Sequence, residues 1–108
     1  MKQAWVVVAA GLTVTAGADA ALDNAAAEAL MKKDGCAGCH EVDKKLIGPA
    51  FQDVAAKYKG DKDAAAKLRD KVKKGSTHVW GEAAMPPNVL ASDSDINELV
   101  NWILTLKK

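Results

Sequence analysis

The chain reads as all-α, about four helices, on three observations. Apolar residues recur at helical spacing in several separate stretches, glycine and proline punctuate the gaps, and no run alternates as a half-buried strand would. Leu22, Ala26, Ala29 and Leu30 share one face of a first helix, which Gly35 ends. Gly48-Pro49 marks a turn, after which Phe51, Val54, Ala55 and Tyr58 form a short apolar stripe that stops at Gly60. A third helix runs from about Asp63 to Gly75 with Ala64, Leu68 and Val72 on one face. From Gly75 to Ala91 no period is sustained, and Gly81, Pro86 and Pro87 fall inside the stretch. A loop this long in so small a domain is usually there to bind something. Ser92 and Asp95 have the spacing of a capping box, and Ile96, Leu99, Val100 and Ile103 then give the strongest amphipathic helix, extended by Trp102 and Leu106.

A chain of 108 residues allows one domain, and its first twenty residues read as something else. Met1-Lys2-Gln3 carries one positive charge, Ala4 to Val14 is mostly apolar, and Ala16-Gly17-Ala18 and Ala18-Asp19-Ala20 both fit a small-x-small cleavage site. That is the layout of a secretory signal peptide over residues 1–20, cleaved after Ala18 or Ala20, ahead of a domain over 21–108. The uncharged stretch from Gln3 to Ala18 contains Gly11, Thr13, Thr15 and Gly17, which makes it short and weak for a span of about twenty residues. No stable membrane insertion is expected after cleavage. Formal net charge is +1, far from the strongly basic balance of a nucleic-acid binder. The lysines between Lys57 and Lys74 read as a solvated helix face, with steering of a partner as a second role.

The chemistry sits in Cys36-Ala37-Gly38-Cys39-His40. Two cysteines two residues apart, followed at once by histidine, form the attachment site of a c-type haem. Both thiols add to the vinyl groups and the imidazole becomes an axial iron ligand. Three other readings compete. A thioredoxin-like pair wants a preceding strand and an α/β pattern. A zinc site needs four ligands, with distant His78 as the only remaining imidazole. A disulfide between cysteines so close would strain a tiny loop. Export agrees with haem attachment, because thiols outside the cytoplasm otherwise oxidise. Core size agrees too. The domain's aromatics are only Phe51, Tyr58, Trp80 and Trp102, and a buried haem adds apolar surface at about 25 cal/mol per Å².

A second axial ligand must come from later in the chain. Met85 follows His40 by forty-five residues, lies in the irregular loop, and precedes Pro86-Pro87, whose restricted φ stiffens the segment. Met31 lies too close to the cysteines and reads as core or surface filling. His78 is the other rival, and its neighbours Ser76 and Thr77 mark an exposed turn. His/Met ligation raises the potential as small electron carriers need.

Cys36-Ala37-Gly38-Cys39-His40, Ile47-Gly48-Pro49-Ala50-Phe51, Val79-Trp80-Gly81 and Met85-Pro86-Pro87-Asn88 together resemble the short monohaem class I bacterial cytochromes c. The likeness spans Leu22 to the C-terminus and is greatest to the type that serves a periplasmic nitrite reductase or a terminal oxidase. The resemblance implies a small class I cytochrome c fold around one covalent haem c. It also implies roles for four further residues. Pro49 would accept a hydrogen bond from the haem histidine, and Asn88 would donate toward the methionine sulfur. Trp80 would donate to a haem propionate, with Lys71 near the same propionate where the family often has arginine. The implied function is a monomeric periplasmic electron carrier, not an enzyme. Its donor would be a redox protein such as a membrane cytochrome complex, and its acceptor a reductase or oxidase, docking at the haem edge over a small transient interface. Two other classes stay open: a peroxidase or gas sensor if Met85 leaves the iron open, and a thiol–disulfide oxidoreductase if no haem attaches.

Overall fold

Four α-helices and one 3₁₀ turn make up the regular structure of residues 22–108, the part of the chain that the computed structural model describes. The signal peptide expected over residues 1–20 lies outside the described residues. In chain order the elements are α1 (Asn24–Lys33), the 3₁₀ turn (Cys36–Gly38), α2 (Phe51–Lys57), α3 (Ala64–Lys74) and α4 (Asp93–Leu104). Two isolated bridges, His40 with Lys45 and Ser76 with Met85, are the only β-type pairings among the described residues.

Asp23 starts α1 by accepting the Ala26 N–H at 2.7 Å, and Lys32 and Lys33 complement the dipole at its end. Its buried face differs from the expected one. Ala27 and Met31 are buried, Leu22 and Leu30 are partly covered, and Ala29 is exposed. A run of alanines gives little contrast between faces, so the packing partner decides which turn inward. Met31 is core.

The other helices keep their expected stripes. Phe51, Val54, Ala55 and Tyr58 are all buried, and so are Ala64 and Leu68 of α3. Ala50 has no side chain to cap α2, so the carbonyls of Glu41 and Val42 take the N–H groups of Phe51 and Gln52 at 2.9 and 3.0 Å. This folds the segment after the cysteines back onto the start of α2.

α4 is the central element and packs on α1, α2 and α3. Ser92 caps it by accepting the Asp95 N–H at 3.1 Å. Only that half of the capping box forms, because the Asp95 carboxylate turns away to Lys33 Nζ, 3.1 Å distant. Ile96, Leu99, Val100, Trp102 and Ile103 fill the centre of the core. Burying each such side chain stabilises the fold by about 1.5–3 kcal/mol. Trp102 meets Phe51 in a T-shaped contact with ring centres 6.2 Å apart and donates its indole N–H to Asn24 Oδ1 at 3.2 Å, which satisfies its one polar group. Phe51 in turn stacks on His40, and Cys36 packs against the same core, so the core reaches the cysteine–histidine motif at two points.

Candidate functional site

Gly35 ends α1 at φ +80°, a backbone that an L side chain rarely adopts, and turns the chain directly into the cysteine segment. The Cys36 carbonyl accepts from Cys39 and His40 N–H at 3.1 and 3.0 Å. One tight turn therefore sets both sulfurs and the imidazole. Neither thiol is in a disulfide. Burial, with a lesser contribution from Asp34, pushes the Cys36 thiol above its ordinary range. A thiol–disulfide catalyst needs the opposite shift.

The imidazole is held from one side of the sequence. Gly48 N–H donates to the Cys39 carbonyl at 2.8 Å, which brings the Pro49 carbonyl to 2.8 Å from His40 Nδ1. A carbonyl only accepts, so Nδ1 carries a proton, which leaves Nε2 as the nitrogen that can bind a metal. Phe51 stacks on the same ring at 4.8 Å. Gly48 is required here for space: a Cβ would sit 2.6 Å from His40 Cε1 and 2.9 Å from Nδ1.

Met85 is held differently. Its N–H and carbonyl exchange two 2.9 Å hydrogen bonds with Ser76. Gly75, at φ +80°, lets this crossing occur, since a Cβ would lie 2.6 Å from the Met85 carbonyl oxygen and 2.9 Å from Pro87 N. Asn88 then ties the segment down. Its N–H donates to Val72 O at 2.8 Å, its Nδ2 donates to Asp34 O at 2.9 Å, and its Oδ1 accepts from Leu90 and Ala91 N–H. The amide thus has a structural task in addition to the one implied by resemblance, and its second N–H is uncommitted.

These segments enclose a cavity of about 410 Å³, closed on the inner side by Leu68, Val72, Val100 and Ile103. All eight residues singled out from the sequence line it: Cys36, Cys39, His40, Pro49, Lys71, Trp80, Met85 and Asn88. The two rival ligands do not. Met31 is in the core, and His78 is exposed at φ +59°. No cluster of three or more metal-binding side chains occurs among the described residues, so the zinc reading has no geometry.

Several contributors escaped sequence reasoning. Lys57 places its ammonium 5.3 Å from the centre of the Trp80 ring. The roles of Gly48 and Gly75 need three-dimensional crossings that no local pattern encodes. Glycine at the end of a helix was a visible signal for Gly75.

The residues present fit a covalent haem. The turn offers two thiols, the imidazole has the tautomer a metal ligand needs, and the cavity has the volume of a cofactor site with an apolar inner wall. Fold and site together define a small monohaem cytochrome. The family model for cytochrome c matches residues 24–107, and the chain belongs to that family. It is 48% identical over 109 residues to cytochrome c-552 of Nitrosomonas europaea, covering 99% of this chain and all of that one. It is 46% identical over 80 residues to cytochrome c-551 of Pseudomonas aeruginosa, covering 74% of this chain and 76% of that one. The crystal structure of wild-type Nitrosomonas europaea cytochrome c552 superposes with a TM-score of 0.71 at 52% identity, over 74% of this chain and 99% of that one. The protein is therefore an electron carrier of the class I, c-551/c-552 type and not an enzyme. It holds one covalent haem c through Cys36 and Cys39. Among the described residues no helix is long and apolar enough to cross a membrane.

Proposed function

We propose that the protein carries single electrons in the periplasm, with His40 and Met85 as axial ligands of the haem iron. The observation that carries this reading is their presence in one cavity, the imidazole with Nδ1 committed to Pro49 and the methionine with its backbone pinned to Ser76. Bound haem supplies a one-electron couple between ferric and ferrous iron. The chain's own residues tune it. The Pro49 carbonyl orients the imidazole and raises its basicity. The Met85 thioether is soft and favours the ferrous state, and the apolar inner wall disfavours the added ferric charge. Trp80 and Lys71 serve the propionates, with the Lys57 ammonium over the indole. Asn88 turns its second amide hydrogen toward the methionine sulfur. Two protein ligands leave the iron no open position for substrate.

Residues 1–20 act as an export signal, and the mature chain is a monomer. Ile47, Val89 and Leu90 are exposed apolar residues at the rim of the cavity. They suit a brief, small docking contact with redox proteins, a membrane cytochrome complex as donor and a nitrite reductase or terminal oxidase as acceptor. Acid–acetone extraction tests the foundation of this reading. Haem should stay on the mature polypeptide, and Cys36→Ala with Cys39→Ala should abolish that retention and, with it, most of the folded protein. Haem freely extracted from the unaltered protein overturns it. N-terminal analysis should find Asp19 or Ala21 first; a full-length chain in the membrane fraction contradicts export and release.

A further inference from the structure

Asp34 is the one carboxyl group of the described core, 1% exposed, and neither of its side-chain oxygens has a hydrogen-bond donor. Its main chain is fully used, the N–H donating to Leu30 O at 2.8 Å and the carbonyl accepting from Asn88. An ionised carboxylate there would have lost its water with nothing in return, a penalty that proteins relieve by keeping the group neutral. Across the α1–α4 junction the neighbouring carboxylate is that of Asp95. Asp95 is itself bound to Lys33 Nζ at 3.1 Å. Burial, then Asp95, pushes the Asp34 carboxyl up, and Lys33 holds Asp95 down. A proton on Asp34 would relieve both carboxylates, with Asp95 remaining anionic and paired with Lys33. Exposure rises along this chain, from buried Asp34 to the Asp95 side chain at 14% and that of Lys33 at 66%.

We propose that Lys33, Asp95 and Asp34 form a proton-binding site whose occupancy follows the charge in the adjacent cavity, Asp34 keeping its proton beside ferrous haem and releasing it on oxidation. The inference rests on the reading above, that the cavity holds an iron cycling between two charges. Asp34 lines that cavity beside Cys36, which bonds the porphyrin and not the metal. The extra positive charge of the oxidised state lies across a poorly polarisable interior, where it favours an ionised carboxylate. The groups facing Asp34 are Lys33 from α1, Cys36 from the 3₁₀ turn and Asp95 from α4, with the neutral Asn88 amide from the methionine loop. As a thioether Cys36 does not titrate. On oxidation one electron passes to the acceptor protein and one proton leaves Asp34 for water beside Asp95. On reduction by the donor protein both return.

The sign follows from linkage. Reduced protein binds the extra proton over a window above the ordinary carboxylate range, so the midpoint potential falls as pH rises through that window and is level on either side. The test is redox titration of the haem-loaded protein from acid to neutral pH, with redox-difference infrared spectra of protein carrying ¹³C-labelled aspartate. A sloped window is expected in the unaltered protein, with a protonated-carboxyl band that shifts with the label and is lost on oxidation. Asp34→Asn keeps the size and polarity of the side chain without its titrating proton and should remove both slope and band. Asp95→Asn should move the slope to lower pH. A flat potential in the unaltered protein, no label-sensitive band, or an undiminished slope in Asp34→Asn, which would assign it to the propionates, overturns the proposal. A visible spectrum without haem would instead defeat the reading beneath it.

Discussion

The histidine side of the cavity and the methionine side are assembled from different ranges of the chain. Everything that fixes His40 lies between Cys36 and Phe51: one tight turn, the Gly48 contact, the Pro49 carbonyl and the stacked ring. Met85 has one local partner, Ser76, which pairs with its backbone. The loop that carries it depends on distant segments: Asn88 anchors it to Val72 of α3 and to Asp34, 54 residues away. A local arrangement needs little loop closure, whereas a long-range one forms only when α1 and α3 are already in place. The covalent links and the imidazole thus belong to the side that organises itself, and the thioether to the side that opens first under stress.

Substitutions at the two crowded glycines probe this contrast directly. Gly75→Ala combines a backbone reserved for glycine with a clash against the Met85 carbonyl, so a loss of about 3–5 kcal/mol is expected. Denaturant unfolding should show that loss, and the spectrum should show a detached methionine on haem that stays attached. Gly48→Ala has no backbone penalty but presses on the imidazole; about 1–3 kcal/mol is expected. Its signature should be displaced imidazole proton resonances with the methionine signals little changed. Equal disturbance of both ligands in either variant would dissolve the distinction between the two sides.

The smallest effect lies at His78, an L residue at φ +59° in the methionine loop. Relief of left-handed strain, offset by the greater freedom of glycine in the unfolded chain, predicts that His78→Gly stabilises by about 0.5 kcal/mol. Thermal unfolding checks this, and the visible spectrum should not change. A lost axial ligand would make His78 the true partner of His40.

Much of this contrast follows how the sequence could be read. The helices around Phe51, Leu68 and Val100 were legible because large apolar residues stand at helical spacing against charged neighbours. The register of α1 was not, since alanines mark no face and the choice of Ala27 over Ala29 comes from the partner helix. The cysteine turn and His40 were legible because their chemistry requires adjacency. The methionine loop showed only its stiff prolines. Its closure by Gly75, Ser76 and Asn88 depends on contacts across the fold, and the burial of Asp34 depends on the packing of α1 against α4. Asp95 looked like half of a capping box, and only the position of Lys33 reveals why it turns elsewhere.

The most direct test of His40 and Met85 as the ligand pair is the weak far-red sulfur-to-iron band of the ferric protein. The band should be present in the unaltered protein and absent in Met85→Ala, which should also have a lower potential and bind added cyanide quickly. Met31→Ala and His78→Ala should retain it. Survival of the band without Met85, or a site opened by His78→Ala, would contradict the assignment.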